Sequence, residues 1–196
     1  MARHSVIATV AAVLLAATAP VLATVLVPAD LNELAREALT IVHGRVVDVR
    51  SQWTDGRRRI ETVVTVEVQA ALKGQPGDTI SVRVPGGDMG RYRSVMIGAP
   101  RFREGEEVVL FLGGRAPALP YLLGMGQGVY RVIREPGTGR PLVSPPVASV
   151  PGRVVRGDAG RRAVGIEEFT QQVKHALVAE RDRQPVVRSP QAGRGR

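Results

Sequence analysis

The sequence predicts a mainly β protein: a small five-stranded antiparallel barrel, with a short helix before it and an amphipathic helix after it. Between Ile41 and Ile133, apolar and polar residues alternate in runs separated by Gly, Pro and Asp. Such runs are typical of antiparallel strands joined by hairpins. The apolar content is mostly Val, Ala and Leu, a mixture that favours strands with one face of small residues. A two-sheet sandwich is the alternative.

Residues 1–23 have the three parts of a secretory signal peptide. A basic start at Arg3 precedes the uncharged apolar run 6–19, and Ala23 supplies the small side chain that signal peptidase requires. We therefore expect cleavage after Ala23 and export to the periplasm or the extracellular medium. A retained membrane anchor is the alternative, because about 20 apolar residues can span a bilayer.

The segment 24–40 is predicted to end in a short helix that begins at Asp30. Asp30 followed by Glu33 is a capping-box arrangement, in which the two side chains satisfy amides of the first turn. Apolar residues then recur at helical spacing on one face: Leu31, Leu34, Ala35, Ala38 and Leu39. This face must pack on the rest of the domain.

The barrel is assigned to residues 41–134. Asp55-Gly56 predicts a hairpin turn between the first two strands, because glycine accepts the positive φ of such turns. The region 85–105 has no strand pattern and is a long loop, a kind of segment that is usually functional or mobile. The predicted main strands are 41–53, 60–72, 79–84, 107–112 and 129–133, with a short one at 121–123.

Three segments are expected after the barrel. Residues 135–165 are rich in Pro and Gly and read as an extended segment, whereas 166–181 has helical spacing of its apolar residues. Residues 182–196 have too little apolar surface to fold and are predicted to be a disordered basic tail. The apolar face of the helix comprises Ile166, Phe169, Val173, Ala176 and Leu177.

The formal net charge of +9 invites a nucleic-acid interpretation, which the composition does not favour. Only Lys73 and Lys174 are lysines among the 27 basic residues, and the few aromatic residues do not interleave with the arginines as a stacking surface requires. The densest basic patch, Arg57, Arg58 and Arg59, lies at the predicted hairpin tip. The simpler interpretation is that these arginines form a charged face exposed to solvent. The more specific interpretation is that they bind weakly to an anionic surface.

Catalytic and metal-binding patterns are sparse. The predicted mature chain has two histidines, His43 and His175, and no serine lies in a G-x-S-x-G motif. The chain has no cysteine, so it can form neither a disulfide nor a thiolate metal site. The acidic clusters, Glu61 with Glu67 and Glu104 with Glu106 and Glu107, read as exposed strand or turn residues. We expect no enzyme activity, no cofactor and no metal.

Several short motifs resemble a known family. They are Gly44-Arg45-Val46, the strand that ends in Leu72-Lys73-Gly74, and the strand Gly105-Glu106-Glu107 to Leu112. They are similar to the netrin-like domains, the group that includes the tissue inhibitors of metalloproteinases. The segments 84–87, 98–102 and 127–128 also resemble a set of uncharacterised exported bacterial proteins. The resemblance covers about residues 41–133.

The resemblance implies an OB-like barrel flanked by helices, with barrel-edge loops that bind other proteins. The inhibitors of that group chelate a protease zinc through an N-terminal cysteine, which this chain lacks. Zinc-chelating inhibition therefore does not carry over.

We expect an exported, non-enzymatic binding module that contacts a protein partner, an exported protease being one option, through the loop 85–102 and the segment 124–128. One alternative is an envelope structural protein that associates with anionic lipid or cell-wall polymer. Another is a hydrolase that uses Glu106 or Asp88. The candidate contact residues are Asp88, Arg91, Tyr92, Arg101, Phe102 and Gln127.

Overall fold

The computed structural model describes residues 30–115, 117–146, 149–150, 153–154 and 162–183. The predicted signal peptide, and the predicted tail from residue 184 onwards, lie outside the described residues. Within them, helix α1 spans Leu31–Glu37 and helix α2 spans Ile166–Arg183. The prediction of a mainly β protein with these two helices is confirmed. None of the described helices is both long and apolar enough to cross a membrane.

Strands account for nearly half of the described residues. Two long strands, β1 and β2, are followed by shorter ones, and a 3₁₀ turn at Met125–Gly128 precedes β8. The strands are β1 Thr40–Thr54, β2 Arg59–Lys73, β3 Thr79–Pro85, β4 Gly87–Met89, β5 Tyr92–Ser94, β6 Glu107–Gly113, β7 Tyr121–Leu122, β8 Val129–Arg134, β9 Pro141–Ser144, β10 Ser149–Val150, β11 Arg153–Val154 and β12 Val164–Gly165.

A large, mostly antiparallel sheet contains a ring of five strands. The sheet order is β1-β2-β3-β7-β6-β8-β9-β12, and β6 also pairs with β1, so β1, β2, β3, β7 and β6 close on themselves. The remaining strands form two small hairpins, β4 with β5 and β10 with β11. The expectation of five antiparallel strands is wrong at one place, since β3 and β7 run parallel through the pair Arg83 and Tyr121.

The fifth member of the ring is also not the strand that the pattern indicated. Strand β8, predicted at 129–133, pairs with the first half of β6, and β7 pairs with the end of β6 at Leu112 and Gly113. Both lie on the same edge of β6, because β1 occupies the other edge. The two-residue strand β7 reaches β3 and closes the ring, whereas β8 continues the sheet towards β9.

The hairpin between β1 and β2 follows the predicted turn. Thr54 pairs with Arg59, and the left-handed φ of Asp55, Gly56 and Arg57 reverses the chain. Further along β1, a Cβ at Gly44 would lie only 2.2 Å from the carbonyl oxygen of Glu67. Only glycine therefore permits this close approach of β2 at the irregular register step.

The apolar residues form two cores on opposite faces of β1 and β6. The inner core fills the ring and includes Val42, Val64 and Leu110, and the outer core lies between the sheet and the helices. Strand β6 contributes alternate residues to both cores, which explains its continuous apolar run. The outer core contains Leu34, Ala35, Ala38, Ile41, Val109, Phe111, Tyr130, Val143, Phe169, Val173 and Ala176.

The ends of the helices differ from the prediction in detail. Asp30 is the N-cap of α1, but its side chain makes no cap hydrogen bond and accepts one from Asn32 at 3.0 Å instead. The predicted capping box is therefore wrong. Helix α2 continues two residues past its predicted end at 181. The predicted extended segment 135–165 includes β9 and β12, which pair with each other at the edge of the sheet.

Candidate binding site

The predicted loop 85–102 consists of the hairpin β4 and β5 followed by residues 94–102, which we call the strap. Gly87, the first residue of β4, lies in close contact with β1 and β2. It has φ +149°, and a Cβ at this position would lie 2.4 Å from Ser51 Oγ and 2.5 Å from Thr62 Oγ1. Glycine therefore lets the hairpin lie directly on the paired residues of β1 and β2.

A chain of hydrogen bonds fixes this contact. The backbone N–H of Asp88 donates to Ser51 Oγ at 3.2 Å, and Thr62 Oγ1 donates to the carbonyl oxygen of Gly86 at 2.8 Å. Ser51 Oγ and Thr62 Oγ1 are 3.2 Å apart. Because the Thr62 proton is committed to Gly86, Ser51 must donate to Thr62. Both hydroxyl protons are therefore used to hold the hairpin.

A cavity of about 220 Å³, which we call the cleft, lies between the strap and the ends of β1, β2 and β3. About half of its lining is polar, contributed by the hydrogen-bonded side formed by Ser51, Thr62 and Asp88 and also by Ser94. Arg101 borders it, and the rest of the wall is largely apolar. The apolar wall includes Val49, Val84, Met96, Ala99, Pro100 and Phe102.

The outer side of the strap exposes an apolar tip, Val95, Met96 and Ile97, with exposed fractions of 69%, 48% and 83%. Val95 and Met96 also line the cleft. The N–H of Gly126 donates to the carbonyl oxygen of Gly98 at 2.9 Å, which joins the strap to the segment 124–128. The two segments predicted to form the binding surface are therefore adjacent.

The predicted contact residues have different environments. Arg93 donates to the carboxylate of Asp88 at 2.6 Å, and this hydrogen bond and charge raise the pKa of Arg93. Arg91 lies over the ring of Tyr92, 4.9 Å from its centre, and donates to the Tyr92 hydroxyl at 2.8 Å. Tyr92 also contacts Trp53, with ring centres 5.4 Å apart.

The other predicted contact residues are Arg101, Phe102 and Gln127. Arg101 is exposed at the cleft, and Gln127 is half-buried in the 3₁₀ turn beside Gly126. Phe102 is only 9% exposed and belongs to the inner core. It is therefore part of the floor of the cleft rather than a surface contact.

The basic patch Arg57, Arg58 and Arg59 is exposed at the tip of the β1–β2 hairpin, as the sequence indicated. Trp53 and Ile60 pair just below this tip. Since Trp53 contacts Tyr92 of β5, the patch lies at the same end of the ring as the strap. These arginines therefore lie on the side of the β4–β5 hairpin, and none of them lines the cleft.

The carboxylates considered for hydrolysis are paired with arginine or histidine. Asp88 pairs with Arg93, and Glu106 lies 3.8 Å from Arg131. Glu107 accepts from His43 at 2.9 Å and also pairs with Arg45 and Arg134. No cluster of three or more His, Asp or Glu side chains within the described residues is placed to hold a metal ion.

Several residues of the site were not predicted. Ser51 and Thr62 face each other in the β1–β2 register, which the predicted hairpin turn could have indicated. The apolar run Val95-Met96-Ile97 within a Gly-rich loop was a second overlooked signal. The role of Gly87 in this contact could be recognised only from the structure, where the Ser51 and Thr62 hydroxyls lie beside it.

Fold and site together define a mainly β protein with a partly closed sheet and a small cleft of mixed polar and apolar lining at one end of its strand ring. No protein-family model matches the chain, and no curated protein matches it. A function must therefore be argued from the geometry of the chain itself.

Proposed function

We propose that this chain is an exported, non-enzymatic binding module that contacts a protein partner through the cleft and the strap. The observation that carries this proposal is the apolar tip Val95, Met96 and Ile97, exposed directly beside a cavity. Large exposed apolar groups that border a concave site are typical of interaction surfaces. An exported protease remains one option for the partner.

The strand ring supports an OB-like interpretation of the fold. Three successive antiparallel strands, β1 to β3, are followed by a parallel pairing to β7 and a return through β6 to β1, as in a partly open five-stranded barrel. Two residues of the netrin-like motifs have structural roles here: Gly44 permits the approach of β2, and Lys73 holds the end of α1. These roles support the resemblance at the level of the fold.

The hydrogen bonds of the cleft support a binding role over a catalytic one. A serine nucleophile needs a base that takes its proton, whereas Ser51 donates to a hydroxyl whose own proton goes to a carbonyl. Asp88 is hydrogen-bonded by Arg93, and the buried Oε2 of Glu106, which has no hydrogen-bond partner among the described residues, lies 3.8 Å from Arg131. Export rests on the signal-peptide pattern of residues 1–23, and sequencing of the mature N-terminus tests it.

Site-specific photocrosslinking tests the proposed surface. A photoreactive amino acid is placed at Met96 or Ile97, with Ile133 as the matched control, because Ile133 is 45% exposed on β8. We expect a discrete adduct in the envelope fraction from both strap positions, which excess unlabelled protein suppresses. Equal adducts at Ile133, or no adduct at the strap, would contradict the proposal.

A second candidate is association with anionic lipid, which the same tip and the nearby basic patch favour. An apolar tip flanked by arginines is suited to the membrane interface, where each arginine near an anionic surface contributes about 1 kcal/mol. Vesicles with and without phosphatidylglycerol distinguish the two candidates. Salt-sensitive binding that is lost in a variant with Arg57, Arg58 and Arg59 changed to Ser would favour lipid.

A further inference from the structure

Resting on the proposed function, we infer that the cleft takes a single apolar side chain from an extended, acidic segment of the protein partner. The inference has three supports: the size of the cleft, the state of its polar groups, and the charge at its rim. Each of these features limits which molecules can occupy the cleft.

The size of the cleft fits one side chain. A cavity of about 150 Å³ holds a benzene molecule, whereas sites for drug-sized ligands span about 300–1,000 Å³. At about 220 Å³ the cleft lies between these values. A branched aliphatic or aromatic side chain fits this volume, and a nucleotide or similar cofactor does not.

The hydrogen-bonded side of the cleft is compatible with an apolar occupant. Ser51, Thr62 and the amide of Asp88 hydrogen-bond to one another and to Gly86. Because both hydroxyl protons are already donated, a ligand acceptor such as a carboxylate finds no free hydroxyl donor on this side of the cleft, whereas an apolar group leaves these bonds intact. An apolar side chain needs no such partner and gains from burial against the wall formed by residues such as Val84, Ala99 and Phe102.

The rim of the cleft is positively charged. Arg101 lines the cleft and pairs with no carboxylate among the described residues, and Asp88, which also lines it, is paired with Arg93; Arg91, in the turn of the adjacent β4–β5 hairpin, likewise has no carboxylate partner there. The patch formed by Arg57, Arg58 and Arg59 lies at the same end of the ring, and the whole chain carries +9. Asp or Glu residues that flank the apolar side chain would complement this field.

A matched set of blocked peptides tests this chemistry. The probe is Glu-Asp-Leu-Asp-Glu, compared with the same peptide carrying Ala at its centre and with Arg-Lys-Leu-Lys-Arg. We expect the Leu peptide to bind at least about tenfold more tightly than the Ala peptide, given the loss of buried apolar groups. Chemical-shift changes should centre on the amides of Gly86, Asp88 and Ala99. The basic peptide should not bind.

Two kinds of variant separate the cleft from its rim. Ala99→Leu fills the cavity and should abolish discrimination between the Leu and Ala peptides. Arg101→Ser leaves the cavity open and should weaken both peptides about fivefold at low salt. Arg36→Ser is the matched control, because Arg36 is exposed on α1 on the helix side of the sheet. If Ala99→Leu does not fold, the peptide series and Arg101→Ser still decide the question.

The outcomes separate this inference from the proposed function. The strap could crosslink to a protein while the Leu and Ala peptides bind equally or not at all. That result would contradict the inference about an apolar side chain in an acidic segment, and it would still support the proposed binding function. If the Leu peptide binds in the cleft but no strap adduct forms, the preference of the cleft for an acidic peptide with an apolar centre is supported, whereas the protein partner of the proposed function is contradicted. Binding to anionic vesicles that survives Ala99→Leu, with no peptide binding, overturns the inference in favour of lipid.

Discussion

Lys73 Nζ lies 2.9 Å from the carbonyl oxygen of Ala35 and donates a hydrogen bond to it, so the end of β2 holds the C-terminus of α1. The same ammonium group donates to the carbonyl of Arg36 at 3.1 Å. The last carbonyls of a helix lack partners within the helix and attract positive charge. The side chain thereby couples a strand of the ring to the helical layer.

We expect Lys73→Met to lower the free energy of unfolding by about 1–2 kcal/mol, because two carbonyls at the end of α1 lose a charged donor. Urea denaturation measures the change. Lys174→Met is the control, since Lys174 is exposed on α2, and it should change stability by less than about 0.5 kcal/mol. Equal effects of the two substitutions would show that Lys73 does not stabilise α1.

Gly44→Ala should destabilise the protein by about 2–3 kcal/mol, because the new Cβ would overlap the Glu67 carbonyl and strands β1 and β2 would have to separate. Thermal and urea unfolding test this. Gly165→Ala serves for comparison, since the nearest atom to its new Cβ would be an oxygen of the flexible Glu167 carboxylate at 3.8 Å. A Gly44→Ala protein as stable as the Gly165→Ala protein would contradict the close approach.

Thr62→Val should loosen the β4–β5 hairpin, because Ser51 loses its acceptor and the Gly86 carbonyl loses its donor. The expected cost is about 1–3 kcal/mol, and the amide of Asp88 should exchange its hydrogen faster. Thr65→Val is the matched control on the same strand, where Thr65 bonds to Ser81 instead. Unchanged exchange at Asp88 in the Thr62→Val protein would mean that the hydroxyl chain does not hold the hairpin.

Glu107→Ala should destabilise the protein by about 1–3 kcal/mol, because His43, Arg45 and Arg134 lose their shared acceptor on the outer face of the sheet. The side chain of Glu107 is only 15% exposed, so water replaces it poorly. Glu104→Ala, at an exposed turn, should have little effect. A urea midpoint that both variants share would argue against a structural role for Glu107.

The segments with periodic apolar residues were predictable from the sequence. The features that depend on pairing between strands distant in the sequence were not. The alternation of apolar residues located β1 and β2, and Asp55-Gly56 located their turn, because these signals are local. The two-residue strand β7 is too short to show a period, and its role depends on reaching both Leu112 and Arg83. Strands β9 and β12 were hidden in a segment rich in Pro and Gly.

The candidate site shows the same division. Composition located the long connection 85–102 and its candidate contact residues Arg91 and Arg101, but it gave no sign of the β4–β5 hairpin within that connection. The burial of Phe102 did not, because an aromatic residue in a loop gives no sign of which core it enters. The pairing of Ser51 with Thr62 under Gly87 likewise required the strand register and the position of the hairpin.

Strand β6 gives its alternate side chains to two different interiors, with Leu110 in the ring and Phe111 beneath the helices. Strand β6 forms one wall of each core, so a loss of packing in either core also disturbs the other. We therefore expect the ring and the helical layer to unfold together as one cooperative unit, and a cavity made at either residue to weaken both. The strap is thus supported by the stability of the entire domain, including helices that lie on the outer side of the sheet.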